Sequence, residues 1–469
     1  MSLKKNFLYS SILTTANYIF PLITYPYVSR ILGVTNIGLY NFADSIINYF
    51  IMFSMMGIGI IGIREVAATQ DDRNEKNKVF SSLFILNAVL TLLALAILII
   101  CIFTVHDLRE NKELMYVGVL KLISNLFLID WFYKGLEKFK YITNVTLTIK
   151  MLYVVSVFIF VKESNDYTIY YLLCTLMITL NAIANFIYAF KYVKFDFKSL
   201  NIRKYVKTNF VLGVYCFLTS MYTSFNVAYL GFVSNTTEVG YYATGTKLFS
   251  IIIALYSAFT GVVQPRMSSL LSENKFDEFI GLIKKSTDLL LTITVPAVLF
   301  TCAFSPEIIK IISGEGYEGA IIPTRIVMPL IFIIGYEQIL VVQILTPLKK
   351  DRQILINSIS GAMIGLILNL ILVNKYASTG SAIVWVMSEI TVLISAQHFV
   401  TKYTKVSFPY MKLAKEIVRY IPLLLLYWGI SQYIDSNLII NFGIGTIITG
   451  IYVFVVKRKF ITEIIKLRK

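Results

Sequence analysis

Residues 79–105, VFSSLFILNAVLTLLALAILIICIFTV, run for 27 positions without a charge. A helix crossing a hydrocarbon layer about 30 Å thick needs roughly 20 apolar residues, so this run is long enough to span a membrane. Similar runs recur throughout. Fourteen are read, at about 7–29, 40–63, 79–104, 114–133, 142–161, 167–190, 209–233, 240–263, 287–305, 321–346, 353–374, 377–398, 418–434 and 436–456. Backbone N–H and C=O groups in lipid must bond within their own segment, which makes such runs helices. The expected fold is all-α, a polytopic membrane protein with 14 transmembrane helices. Charged residues make up 15% of the chain, against about 25% in soluble domains.

The net charge of +16 invites a nucleic-acid reading, but its placement argues against one. With the N-terminus in the cytoplasm, 33 of the 43 Lys and Arg residues fall in inner segments and 7 in outer loops. The other three, Lys121, Lys150 and Lys247, lie inside spans. This is the positive-inside pattern, and it predicts a multi-pass protein with both termini cytoplasmic and no nucleic-acid partner. The stretch Asn6–Ser29 is longer than the 7–15 apolar residues of a signal peptide, so it is read as a permanent first span. The four cysteines sit in apolar runs without metal-ligand spacing, and there are only two histidines. Neither a metal site nor a cofactor is expected. No G-x-x-x-x-G-K-[ST] loop is present, which excludes ATP hydrolysis by that route.

The chain echoes itself at an offset of 202 residues. Thr35-Asn36-Ile37-Gly38-Leu39-Tyr40 reads against Thr237-Glu238-Val239-Gly240-Tyr241-Tyr242, and Arg64 against Arg266. Parallel repeats of six spans are a common transporter plan, with the substrate site between the halves. The expected organisation is an N-terminal six-helix bundle (1–192), a cytoplasmic basic linker (193–208), a C-terminal six-helix bundle (209–402), and an additional helix pair with a basic cytoplasmic tail (403–469). The spacing of Phe276, Phe279, Ile280 and Ile283 predicts an amphipathic helix on the inner face within 268–286. Ser305 and Pro306 read as the cap and first turn of a short outer helix.

Charges inside spans are costly and persist where they meet a partner, water or cargo. They are Asp44, Lys121, Asp130, Lys150, Lys247, Glu337 and Glu389, with Arg30 and Arg325 near outer span ends. Asp130 and Lys134 are four apart and read as a structural ion pair. Arg30 and Arg325 either snorkel to the outer surface or serve a site. Lys121 and Lys150 either pair with carboxylates inside one half or face a wet cavity. Lys247 is a cavity candidate. Glu337 and Glu389 are candidates for coupling, by taking up H+ or holding Na+. Pro21 and Pro26 in the first span bend the helix and free carbonyls, either as a plain kink or as a hinge.

The segments PLITYPYVSRILG (21–33), NIGLYNFADSIINYF (36–50), GIGIIGIREVA (57–67), DWFYKGLEKFKYIT (130–143) and GEGYEGA (314–320) resemble those of the polysaccharide repeat-unit flippases, the Wzx type of the multidrug/oligosaccharidyl-lipid/polysaccharide exporter superfamily. The resemblance covers nearly the whole chain and is strongest over 10–150. It implies two six-helix bundles in a V plus two extra helices, with spans 1, 2, 7 and 8 around a central cavity. It implies transport of an undecaprenyl-pyrophosphate-linked glycan across the bacterial inner membrane, for O-antigen or capsule. Asn17, Arg30, Asp44, Asn226 and Lys247 are then cavity candidates, joined by Lys121 and Lys150, and cationic residues suit the pyrophosphate. Tyr40, Tyr222, Tyr229, Tyr241 and Tyr242 offer rings to a glycan, although packing is the commoner use of tyrosine. A polymerase and other assembly proteins are the implied partners, along with membrane lipids. The alternatives are a multidrug or cation antiporter of the same fold and a flippase for a peptidoglycan precursor. A membrane enzyme is disfavoured, because its large outer loop is missing.

Overall fold

The structure is a computed structural model that describes residues 3–433 and 438–458. The described residues are helical, with no strand among them. The basic tail predicted at the C-terminus lies outside the described residues from 459 onward. The chain divides into two compact units, one comprising 1–243 and 369–377, the other 244–368 and 378–469.

The first unit begins with α1 (Leu3–Met55), which contains Pro21 and Pro26 and continues as α2 (Ile58–Ala68). An unbroken run over Tyr9–Ala68, 60 residues long, would reach about 90 Å, three times the bilayer core. It is broken at Gly33, whose φ of 75° and ψ of 168° only glycine adopts readily. Then come α3 (Arg73–Thr104), α4 (His106–Glu110), α5 (Lys112–Phe127), α6 (Asp130–Gly135), α7 (Phe139–Phe160) and α8 (Tyr167–Ala189). Asp72 caps α3 by accepting from the N–H groups of Asn74 (2.9 Å) and Glu75 (3.1 Å). The predicted fourth span is two helices, because Leu128 and Ile129 leave helical geometry between α5 and α6.

The segments that carry the family resemblance pack on one another. In α2, a Cβ added to Gly62 would lie 2.3 Å from the Trp131 ring of α6. In α6, one added to Gly135 would lie 2.8 Å from Val66. Glycine at both positions lets the two helices cross closely over a core of Ile58, Ile61, Phe80, Phe132 and Tyr133. The stretch after α8 runs along α3, with the N–H groups of Lys194, Asp196 and Asn201 donating to Asn77, Ser81 and Ser82. Helix α9 (Ile202–Thr223) follows, then α10 (Phe225–Val233), and the pair is bent by 56°.

The offset repeat meets itself within this unit. Thr35 Oγ1 and Thr237 Oγ1 are 2.9 Å apart. A Cβ added to Gly38 would sit 1.6 Å from Thr236 O and 2.7 Å from Gly240 N, and one on Gly240 would sit 2.2 Å from Val34 O. The two copies of the motif therefore form one backbone-to-backbone contact that tolerates no side chain at either glycine.

Helix α11 (Thr236–Ser272) crosses into the second unit. After it come α12 (Phe276–Ala303), α13 (Ser305–Ser313), α14 (Ile321–Val327) and α15 (Leu330–Glu337), then α16 (Asp351–Leu368), α17 (Asn374–Thr404), α18 (Tyr410–Tyr433) and α19 (Leu438–Val456). The backbone widens to π-helix over Gln338–Leu345 and Asn369–Val373. The predicted amphipathic helix is not a separate element. The helix runs from 276 to 303, through Pro296, and its buried stripe of Phe279, Ile283 and Leu290 continues directly into the span. Ser305 is not the cap of α13 either. It is the first helical residue, and its hydroxyl donates to Cys302 O (3.2 Å) while accepting from Arg325 Nε (2.7 Å).

Three helix ends share one termination. Glu137, Asn274 and Lys349 have φ near +55°, and the residue after each donates to the carbonyl five positions back. This Schellman closure satisfies the last carbonyls, usually with glycine in the left-handed position. It closes the predicted fourth and tenth spans, at Leu136-Glu137-Lys138 and Leu348-Lys349-Lys350. Nine helical runs among the described residues are long and apolar enough to cross a membrane. Two of them, Tyr9–Ala68 and Asp351–Thr404, are long enough for two crossings each and are broken at Gly33 and at Ala377 (φ 45°). Adding the bent α9–α10 pair, α18 and α19 is consistent with fourteen.

Candidate functional site

The predicted intramembrane residues fall into separate clusters. In the first unit, Lys121 of α5 donates from Nζ to Asp44 Oδ1 of α1 (2.5 Å) and to Asn48 Oδ1 (2.9 Å). Asn48 Nδ2 in turn donates to Asp44 Oδ2 (3.0 Å). Charge and hydrogen bonds close on themselves here, and the triad ties α1 to α5. Asn48 was not singled out in the sequence; it sits four residues after Asp44, on the same helical face.

Lys150 of α7 is different. It is only 8% exposed, and its Nζ donates to Asn17 Oδ1 of α1 (2.6 Å) and lies 5.8 Å from the centre of the Phe20 ring. Among the described residues no carboxylate lies within 4 Å of it. Asn17 is itself exposed. The two predicted cavity residues thus form a partly open pair holding one uncompensated positive charge.

Asn226 of α10 is fully buried. Its Nδ2 donates to Tyr242 Oη (3.3 Å), and its Oδ1 accepts from Asn369 Nδ2 (2.9 Å) at the start of the second π segment. Asp130 accepts from Asn185 Nδ2 (2.8 Å) and makes no ion pair within 4 Å with Lys134, contrary to the helical-spacing expectation. The reason is local: Asp130 opens a new helix after the break at 128–129 and faces α8. Arg30 is exposed. Of the tyrosines, Tyr40 packs edge-on against Tyr170 and Tyr171, Tyr229 stacks on Phe225, and Tyr242 is fully buried. The side chain of Tyr222 lies outside the described residues.

In the second unit, Glu337 at the end of α15 and Glu389 in α17 are brought together. Both are buried, 8% and 3% exposed. Trp385 Nε1 donates to Glu389 Oε1 (2.9 Å), while Glu337 Oε1 has no hydrogen-bond partner. The sequence offered these acids singly, and no spacing links residues 52 positions apart. The π segment begins immediately after Glu337, a distortion that often marks functional sites. Two carboxylates face to face in low dielectric repel strongly, and a proton or a small cation between them removes the repulsion. Lys247 of α11 is half-buried in this unit. Arg325 donates to Cys302 O (3.0 Å) and Ser305 Oγ, which fixes it at the α12–α13 junction.

The sequence matches the family described as polysaccharide biosynthesis protein over residues 3–271, more than half of the chain. It is 26% identical over 392 residues to the "Putative O-antigen transporter" of Escherichia coli (strain K12), covering 83% of this chain and 94% of that protein. Among solved structures it is similar to the lipid II flippase MurJ in an inward closed conformation, with a TM-score of 0.74 at 16% identity, covering 97% of this chain and 99% of that one. It is also similar to a multidrug resistance MATE family transporter of the MOP superfamily in its inward-facing conformation, with a TM-score of 0.61 at 13% identity, covering 86% and 98%. At such identities the two structures speak for the fold, and the sequence match speaks for the family. The chain is a multi-pass membrane protein with the fold of these transporters, and it belongs to the polysaccharide biosynthesis protein family.

Proposed function

We propose that this chain carries an undecaprenyl-pyrophosphate-linked oligosaccharide repeat unit from the inner to the outer leaflet of the bacterial cytoplasmic membrane. It does so by alternating access and serves surface polysaccharide assembly. The observation that carries the reading is Lys150, a buried ammonium whose partners are an amide oxygen and a ring face. Leaving a buried charge unpaired costs about 3–5 kcal/mol, so such a charge is kept where a counter-charge arrives. A pyrophosphate supplies that charge and forms charge-assisted hydrogen bonds with the ammonium. Asn17 orients the lysine and offers its amide to the cargo. Arg30 and Lys247 are further candidates to meet the anion, Asn226 packs instead against Tyr242 and Asn369, and Asp44 with Lys121 braces α1 on α5.

Pro21 and Pro26 let the first helix flex as access alternates. Glu337 and Glu389 hold the coupling H+ or Na+. Both termini face the cytoplasm, a reading supported by the Lys and Arg distribution. The polyprenyl tail stays in lipid, and a polymerase takes the delivered unit on the far side. The chain works as a transporter rather than an enzyme, in keeping with its transporter relatives. The fold alone suits a multidrug antiporter or a peptidoglycan-precursor flippase equally well. Family membership and the likeness to an O-antigen transporter support polysaccharide cargo.

The test is a deletion strain. Lipid-linked repeat units accumulate and surface polysaccharide disappears; the wild-type gene restores export, whereas Lys150→Ala does not at equal membrane level. Unchanged surface glycan in the deletion overturns the reading.

A further inference from the structure

A cavity of about 830 Å³ opens in the second unit between the start of α12, the 404–409 segment and the start of α18. Lys284, Lys405 and Lys412 line it, with Tyr336, Phe408 and Tyr410. The three rings form a wall, with Phe408 edge-on to Tyr336 at 5.2 Å and 4.6 Å from Tyr410. Lys412 is held by Asp288 at 2.7 Å, which pins α18 to α12. Lys284 and Lys405 are exposed, and among the described residues no carboxylate lies within 4 Å of either.

The cavity is preformed rather than loose. Val406 O accepts from Gln397 Nε2 (2.8 Å) and from Thr401 Oγ1 (3.0 Å), and Gln397 Oε1 accepts from Tyr336 Oη (3.2 Å). Lys405 sits in the left-handed region at φ 58°. Beside this basic rim, Tyr410 and Met411 are 75% and 69% exposed. An aromatic and a flexible apolar side chain beside lysines is the composition of a membrane interface, where rings sit at headgroup depth and lysines meet phosphate.

We propose that this cavity binds an anionic phospholipid, with Lys284 and Lys405 on the headgroup phosphate and the acyl chains against Tyr410 and Met411. A soluble phosphate would have no use for the apolar wall. Cargo that must cross needs cations within the spans, whereas Lys284 and Lys405 are exposed and fall in the segments read as inner loops, which suits a lipid that stays in one leaflet. The site is independent of the flipping reading, and its failure would leave that reading intact.

The test is native mass spectrometry of the full-length protein in detergent, titrated with phosphatidylglycerol and with phosphatidylcholine. Each lysine at an anionic surface is worth about five-fold in affinity. Wild type should prefer phosphatidylglycerol, and Lys284→Ala with Lys405→Ala should erase that preference by up to about 25-fold. Lys284→Arg with Lys405→Arg should keep it, as should a control pair at exposed lysines elsewhere, Lys112→Ala with Lys162→Ala. Equal binding of the two lipids, or a preference that survives the double alanine change, overturns the proposal. Displacement of phosphatidylglycerol by undecaprenyl pyrophosphate at lower concentration also overturns it, and would assign the cavity to cargo.

Discussion

The two units bury charge of opposite sign. In the first, both intramembrane lysines lie beside α1, Lys121 neutralised by Asp44 and Lys150 resting on the amide of Asn17. In the second, the deeply buried charges are two acids, Glu337 and Glu389, and the Trp385 indole N–H donates to Glu389. An uncompensated cation waits for an anion, and a pair of carboxyls waits for a proton or a cation. The same helical framework therefore carries two different demands. Under the proposed function, the first demand is met by a pyrophosphate and the second by a coupling ion.

The comparison breaks most readily at Lys150. Lys150→Ala should lower export at least about ten-fold, the equivalent of one strong charge-assisted hydrogen bond. Lys150→Arg should retain most of it. Surface polysaccharide measured against membrane protein level reads both, and full export by the alanine variant would leave the first unit without its anion partner. Lys121→Ala should act on stability instead. It leaves the half-buried Asp44 without its counter-charge, a loss of about 1–3 kcal/mol, visible as a lower thermal midpoint and poor yield. Lys121→Met combined with Asp44→Leu should recover most of that stability, because an apolar pair can replace a buried ion pair at little cost. A well-folded double variant that cannot export would move the pair into the cargo path.

Glu337→Gln should have a smaller effect on folding, because it removes a like charge from beside Glu389. A change within about 1 kcal/mol in stability is expected, together with export that no longer responds when the ion gradient is collapsed. Unaltered gradient dependence would reduce the acid pair to a structural feature and erase the contrast between the units.

The span pattern was legible because lipid imposes one strict rule, and runs such as 79–105 have no other solution. A break between the spans ending near 29 and starting near 40 was legible, but Gly33 as its pivot was not singled out. The break at Leu128–Ile129 was not, since LFLIDWF reads as one apolar helix until Asp130 is seen opening a second. The π segments leave no mark in hydropathy. The pairings were hidden for a different reason: Asp44 and Lys121 are 77 positions apart, and contacts of that range depend on the packing of whole helices. Recurring segments such as GIGIIGIREVA and DWFYKGLEKFKYIT carried the family, yet the structure uses them to let Gly62 pass Trp131. What identifies the chain is largely packing, while Lys121, Lys150, Glu337 and Glu389 sit outside those two segments.

Asp130 is the residue best able to blur the contrast, being an acid of the first unit with no cation within 4 Å among the described residues. Its oxygen accepts from Asn185, whose own carbonyl accepts from the Tyr133 hydroxyl, so the carboxyl closes a chain of bonds between α6 and α8. Asp130→Asn keeps an acceptor oxygen in place and removes only the charge. If the role is bracing, stability should move by less than about 1 kcal/mol and export should be unchanged. Asp130→Leu leaves the Asn185 amide without an acceptor in a packed site, which costs about 1–3 kcal/mol. The sign of the pair of results decides the matter. A silent Asn and a destabilising Leu mean that the acid is held for its oxygen, and the first unit keeps its positive character. Loss of export in a well-folded Asn variant means that the negative charge itself is used, and the division of cation and anion between the two units fails.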